Sequence, residues 1–449
     1  MPLAPFLRRH LLEPAWSVYA GARTRSATRE LERLQYLSEQ ELHERQLSQL
    51  SDLLQFVYAR NNFYRHRFNE AGIQPASVTS MEQFRRLPIL TKGEVRARGR
   101  ELLSDGFDAT QLQKAKTGGS TGKPIEVLFT EEVSQLRNAS GRRNKRWIGW
   151  RVGEPVGAVW GNPIEPDTIR ERLRQWILDP TISLDTMSIT VDAVREFERK
   201  WRRMQPTLLF GHAHSVFVLA TIVEEENIED IRPRAIIASS MMLLPHEREV
   251  IERAFGIKAT NIYGCEEVGL IAGECEWHEG LHLNNDQLIV EVLREDGSEA
   301  RPGEAGLVVV TDLLNKAMPF IRYRMEDYAE LASEPCSCGR GAPILRRVVG
   351  RTADFLKRLD GSRVAGISLI ENTLTRIPGI EQMQIVQDTL SHIVVRIVPG
   401  PDLGTAQRNE LVAYFATTFK GATIDVEDVC GISQEANGKY RFSICQIPD

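Results

Sequence analysis

Between residues 156 and 264 the chain alternates short apolar runs with stretches of helical spacing, and this alternation restricts the fold more than any other feature. Residues 156–161, 208–210 and 235–238 are compact apolar runs that read as buried strands. Residues 191–204, 214–226 and 245–255 place apolar positions three and four apart and read as helices. Such a rhythm predicts an α/β fold with a mostly parallel sheet and helices on its faces. Ligands in such folds sit beyond the carboxyl ends of the strands. Trp160, Asn162, His212, His214 and Ser240 stand at such ends and are candidates to line a pocket for an organic substrate.

The flanking regions have different textures. Residues 28–70 carry helical periodicity, so residues 1–75 are expected to form a helical N-terminal region. Thr91 is placed to cap a helix over 92–100, and residues 131–150 read as a helix carrying Arg142, Arg143, Lys145 and Arg146. That basic cluster suits either a phosphate or a solvated helix face. After residue 288 short strands and turns take over. Beyond residue 350, predicted helices at 367–376 and 407–419 with strands at 392–398 and 441–447 describe a separate small α+β unit. The expected division is therefore 1–350 and 351–449.

A net charge of −5 implies no general attraction to nucleic acid or to an anionic membrane. No apolar run approaches the roughly 18–20 residues of a bilayer-spanning helix. Residues 1–9 lack the apolar core of a secretion signal, so a cytoplasmic location is expected. Leu11, Leu12, Trp16 and Tyr19 lie among arginines there, which predicts a helix docked on the protein's own core, with membrane contact as the alternative. A homodimer is compatible with all of this.

The densest chemical signal is Lys116-Thr117-Gly118-Gly119-Ser120-Thr121-Gly122-Lys123-Pro124. Glycines allow tight turns that expose backbone N–H groups, while hydroxyls and lysines add donors and positive charge. The set suits an anion rich in oxygens, such as a nucleotide's phosphates; a solvated glycine-rich turn is the plain alternative. The spacing is wrong for a P-loop, and the apolar run 125–129 reads as a strand where that motif needs a helix.

The stretch resembles the phosphate loop of acyl-adenylate-forming ligases, in particular the phenylacetate–CoA ligase family, whose loop ends in Thr-Gly-x-Pro. Further elements follow in the family's order. Asn261-Ile262-Tyr263-Gly264-Cys265-Glu266-Glu267 is similar to its aromatic-Gly-x-x-Glu element, which implies Tyr263 and Gly264 beside adenine and Glu267 on Mg²⁺. Pro319-Phe320-Ile321-Arg322-Tyr323 leading to Asp327 resembles its Pro-x-x-Arg-Tyr-x-x-x-Asp element, which implies that Asp327 accepts the ribose hydroxyls. Gly350-Arg351-Thr352-Ala353-Asp354 resembles the interdomain hinge, with Arg351 reaching ribose or phosphate and Asp354 as the pivot. Gly438-Lys439 resembles the element that delivers the adenylation lysine. The chain departs from the family at Glu326 (usually Gly), Ala353 (usually acidic) and Met241-Met242, where a glutamate is common.

Cys275, His278, His282, Cys336 and Cys338 form two groups of thiols and imidazoles bracketing the Tyr323 region, a mixture suited to tetrahedral zinc. The resemblance implies a structural site, with Cys275, His282, Cys336 and Cys338 as the favoured ligands and buried free cysteines as the alternative. It also implies a large adenylate-forming domain and a small mobile lid. ATP and Mg²⁺ would activate a carboxylic acid, for which the family resemblance implies an aromatic one, to an acyl-adenylate, and coenzyme A would accept the acyl group. Transfer to an amine, hydroxyl or carrier protein in polysaccharide or natural-product synthesis is a second reading. A nucleotide-binding regulator with reduced catalysis is a third.

Overall fold

The computed structural model describes residues 3–116, 125–160, 168–186, 189–351, 355–360, 363–433 and 441–447. Local signals set most helix ends. Ser38 and Glu41 form a reciprocal capping box at the start of Glu39–Arg60, and Asn61 ends that helix while capping Asn62–Glu70 through the Tyr64 N–H. Thr91 and Glu94 do the same for Lys92–Arg98. Leu50, Leu53, Leu54 and Val57 form one buried stripe, which packs with Tyr64, Phe68, Phe84 and Leu87 against Ile289, Leu313 and Ile321. The helical N-terminal region is thereby fastened to the main body.

The main body is built on an eleven-stranded mixed sheet. One half is parallel, as the helix–strand rhythm predicts: Thr181–Leu184, Val156–Val159, Leu208–His212, Ala235–Ser239 and Ala259–Cys265 lie side by side in that order. Helices Val191–Met204, Ala213–Glu225 and Pro245–Phe255 make the crossovers. From Cys265 onward the remaining strands pair antiparallel, in the spatial order Gly269–Glu274, Leu281–Leu283, Ile344–Arg351, Tyr323–Leu331, Ala305–Asp312 and Leu288–Leu293. The parallel sheet expected from sequence is therefore continuous with an antiparallel half.

The basic positions of helix Glu131–Trp147 serve neither phosphate nor solvent. Arg142 pairs with Glu13 at 2.9 Å, Arg143 with Asp286, and Arg146 with Glu32 at 2.5 Å. Lys145 lies over the Trp150 ring, where burial lowers its pKa. These side chains hold the helix to its neighbours.

Residues 380–445 contain a second, four-stranded sheet in the order Thr423–Asp428, His392–Pro399, Ile380–Thr389, Ser443–Cys445. Helices Gly366–Arg376 and Thr405–Thr418 accompany it, and its apolar cluster takes in Met242, Leu244 and Val349 from the main body. Met242 thus has a packing role where the family often has a glutamate.

At one end of this sheet His392 directs Nδ1 to Asp388 at 2.8 Å and Nε2 to Asp425 at 3.0 Å, joining neighbouring strands. The Asp425 and Asp388 carboxylates raise the histidine's pKa. A raised pKa stabilises the fold fully below the ordinary histidine value of about 6.5, and that contribution is lost as pH rises through the elevated value. His392→Gln should therefore lower the thermal midpoint at pH 6 and converge on the parent at alkaline pH. A pH-independent difference would assign His392 a packing role only.

Candidate functional site

Two adjacent antiparallel strands and the parallel strand Ala259–Cys265 supply the site's described core. Tyr263 sits near the end of Ala259–Cys265, and its hydroxyl donates to Asp327 Oδ2 at 2.7 Å. Asp327 lies in Tyr323–Leu331, directly across the ladder from Arg351. Three segments separated in sequence, those of Tyr263, Asp327 and Arg351, are thus brought together. Of Arg351 only the backbone is described. Gly264 is required by packing: a Cβ there would lie 2.7 Å from the Gly269 carbonyl oxygen across the hairpin.

Glu267 and Glu266 are adjacent in sequence but not equivalent. Glu266 is exposed, whereas Glu267 is buried and accepts a hydrogen bond from the Tyr323 hydroxyl at 3.1 Å. Burial, then the Glu267 charge, raise the Tyr323 pKa, so the phenol stays a donor. Arg137 fixes the turn by donating to the Glu267 carbonyl at 2.8 Å and to Asp312 at 2.6 Å. Sequence reading passed over Tyr323 and Arg137 as functional candidates. Tyr323 lay inside a recognised element, but nothing local in the sequence marks Arg137.

Arg322 has a structural task. It makes a two-pronged pair with Glu291, with both contacts at 3.1 Å, and donates to the carbonyls of Arg85 and Leu87. The Leu87-Pro88 turn is thereby tied to the strand bearing Asp327, and Leu90 extends this link by pairing with Tyr323. Arg322, Glu326 and Ser240 all have positive φ, 51°, 62° and 64°. This region favours glycine, the residue the family usually has at position 326.

At the carboxyl ends of the parallel strands, the Trp160 ring stacks on Phe210 with centroids 5.2 Å apart and meets His212 at 4.1 Å. Ser240 follows Ser239, whose strand position is level with His212. His214 points elsewhere among its described contacts. Its Nδ1 meets Glu247, and its ring packs against Phe442 of the C-terminal unit at 5.1 Å. Glu247 went unnoticed in the sequence because a helix-capping acid is commonplace; it also accepts from the Leu244 N–H. Asn162, Asp354, Lys439 and the whole loop Thr117, Gly118, Gly119, Ser120, Thr121, Gly122 and Lys123 lie outside the described residues. The flanks of that loop, Gln113–Lys116 and Glu126–Phe129, pair antiparallel, with Lys116 opposite Glu126.

The thiol–imidazole group assembles as the sequence suggested. The donor atoms of Cys275, His282, Cys336 and Cys338 all lie within 4.8 Å of one another, and His278 is turned to Glu274 instead. Cys275 Sγ and Cys336 Sγ are 3.7 Å apart, and Cys338 Sγ is 3.4 Å from His282 Nε2. A zinc tetrahedron with bonds of about 2.0–2.3 Å has edges of roughly 3.3–3.8 Å, and these last two spacings fall in that range. Burial, then the Arg340 charge, lower His282 to about 4, keeping the imidazole in its metal-binding neutral form.

Residues 356–446 match the family model described as the CapK C-terminal domain. The phenylacetate-coenzyme A ligase of Thermus thermophilus is 26% identical over 339 residues, covering 72% of this chain and 73% of the relative. Its namesake from Aromatoleum evansii is 23% identical over 446 residues, covering 93% and 94%. Among solved structures, a 2-hydroxyisobutyryl-CoA ligase in the postadenylation state with 2-HIB-AMP superposes with a TM-score of 0.76 at 19% identity, covering 92% of this chain and 91% of that one. The same ligase in the thioesterification state gives 0.63 at 20% identity, with coverage of 92% and 91%.

Proposed function

We propose that this chain, a phenylacetate–CoA ligase-like member of the acyl-adenylate-forming ligases, uses ATP to activate a carboxylic acid and transfers the acyl group to coenzyme A. The observation that carries this reading is that the strand Tyr323–Leu331 engages all three residues the family resemblance assigns to one nucleotide: its Asp327 accepts from Tyr263, and its Tyr323 donates to Glu267. Curated relatives named as CoA ligases support the same chemistry.

In the proposed reaction a substrate carboxylate oxygen attacks the α-phosphorus of ATP. The bond from that phosphorus to the bridging oxygen breaks, and pyrophosphate leaves. Asp327 would accept both ribose hydroxyls, steadied by the Tyr263 donor, while Tyr263 and Gly264 lie beside the base. Thr117 to Lys123 would hold the phosphates. The buried carboxylate of Glu267 suits Mg²⁺, which would offset charge developing on pyrophosphate. Lys439 would approach from the C-terminal unit, 351–449, turning about Asp354. The contact of Phe442 with His214 and the better superposition on the postadenylation state support the C-terminal unit lying over the site. Thiolate attack on the acyl carbon then releases AMP.

Trp160, His212 and Ser240 are proposed to shape the acid's pocket, joined by Asn162. The flat Trp160–Phe210 stack suits an aromatic acid. A second reading keeps the adenylation and changes the acceptor to an amine, hydroxyl or carrier protein. It rests on the C-terminal match, which is to CapK.

The deciding experiment follows pyrophosphate release from ATP and Mg²⁺ across aromatic and aliphatic acids, with and without CoA. Acid-dependent release with an acyl-CoA product supports the first reading. Acid-dependent release with no acyl-CoA product supports the second. Absence of acid-dependent release across the panel counts against both.

The same proposal includes structural zinc on Cys275, His282, Cys336 and Cys338, joining the turn after Gly269–Glu274 to the loop before Ile344–Arg351. Elemental analysis of the purified protein should give about one zinc per chain, falling close to zero in Cys336→Ser. Protein that folds fully with no zinc in either form would remove this assignment.

A further inference from the structure

Exposed large apolar side chains concentrate on two neighbouring elements, the N-terminal helical segment and the helix Ile169–Leu178. Leu3, Phe6 and Leu11 line one side of the first, which runs through Leu3–Leu7, a π-helical turn Arg8–Leu12, and Glu13–Tyr19. Ile169, Leu173 and Trp176 line one stripe of the second. Arg8 lies 4.8 Å from the Trp176 ring centroid and joins the two. Leu3, Leu11 and Ile169 are 72%, 61% and 85% exposed, so this is not a core face seen obliquely.

The segment docks through Leu12 and Trp16, which pack on the apolar cluster of Trp150, Val152 and Ile177, and through its polar side chains. Arg9 reaches Glu154 at 2.9 Å and the Val152 carbonyl at 3.3 Å, Arg8 donates to the Gly153 carbonyl, and Glu13 pairs with Arg142 at 2.9 Å. The segment expected to dock on the protein's own core does so through Leu12 and Trp16, while Leu11 and Tyr19 turn outward. Hydrogen bonds and ion pairs hold that orientation, so the exposed apolar side is set by the fold.

The charge around the ridge selects its occupant. Arg170, Arg172 and Arg174 are exposed on the second helix, and His10 is exposed on the first. Glu171 is the one acid of that helix, and it is engaged in the capping box with Thr168. A second copy docked face to face would set these arginines against their own equivalents. Leucine, phenylalanine and tryptophan rimmed by arginine match instead an interfacial helix on anionic lipid. We propose that this ridge seats the protein on the surface of an anionic bilayer without crossing it, although the chain as a whole is acidic.

The test is flotation of the full chain with vesicles of phosphatidylcholine alone or mixed with phosphatidylglycerol. Binding to the mixed vesicles only, weakened by salt, is expected. Arg170→Glu with Arg172→Glu and Arg174→Glu should lower partitioning on the order of 100-fold. Leu3→Ser with Leu11→Ser and Ile169→Ser should lower it at least about tenfold. Acid-dependent pyrophosphate release should stay unchanged in both sets, since none of the substituted side chains belongs to the proposed site. Failure of the parent to float, flotation of either variant set equal to the parent's, or a dimer in solution abolished by the serine set would each overturn the proposal.

Discussion

Arg322→Leu is expected to cost about 3–5 kcal/mol of unfolding free energy, with the lower end favoured. The Arg322 and Glu291 side chains are only 4% and 2% exposed, so the substitution strands a buried carboxylate. Arg85 Nε stands 3.5 Å from Glu291 and softens that loss. The carbonyls of Arg85 and Leu87 also lose a charged donor, which raises the cost of leaving them buried. Urea titration followed by tryptophan fluorescence would measure the change. Arg322→Lys should recover only part of the stability, because an ammonium cannot make the two-pronged contact. A loss below about 1 kcal/mol would mean that the pair is effectively solvated and that the Leu87-Pro88 turn is held by other contacts.

Lys439→Ala is expected to lower the rate of acid-dependent pyrophosphate release by about 10²–10³, the usual cost of removing one donor aimed at developing charge. A mobile ammonium suits this task because negative charge shifts between the attacking carboxylate and the α-phosphate during the step. The loss should appear in kcat with little change in the KM for ATP, since the Asp327 and Tyr263 contacts remain. Thioester formation from pre-formed acyl-adenylate should be spared if the C-terminal unit has turned by then. A decrease smaller than tenfold, with an unaltered thermal midpoint, would remove Lys439 from the adenylation step.

Much of the architecture was legible because its causes are local. Helices Val191–Met204 and Pro245–Phe255 begin and end where capping and periodicity place them. The strands of the parallel half coincide with short apolar runs, since a strand covered on both faces must be apolar throughout. The antiparallel half was only partly legible. Its strands were visible after residue 288, but their place in the sheet is set by Leu281–Leu283 pairing with Ile344–Arg351, far apart in the chain. The metal-type cluster shows the same division. Composition supplied five candidate ligands, and the fold brought four together while turning His278 to Glu274.

By itself the sequence determined the family resemblance, the order of the chemical elements and the residue types they carry. Spacing and side-chain chemistry are properties of a chain before it folds. Tertiary structure alone decided that Tyr263 meets Asp327, that Glu267 rather than Glu266 turns inward to Tyr323, and that Arg322 braces a turn more than two hundred residues away. It also decided that the basic positions of Glu131–Trp147 are spent on Glu13, Asp286 and Glu32, and that Leu3, Leu11 and Tyr19 face outward while Leu12 and Trp16 pack on the body. Each of these outcomes depends on which partner a buried charge or apolar side chain finds, and that partner is fixed only when distant segments pack together.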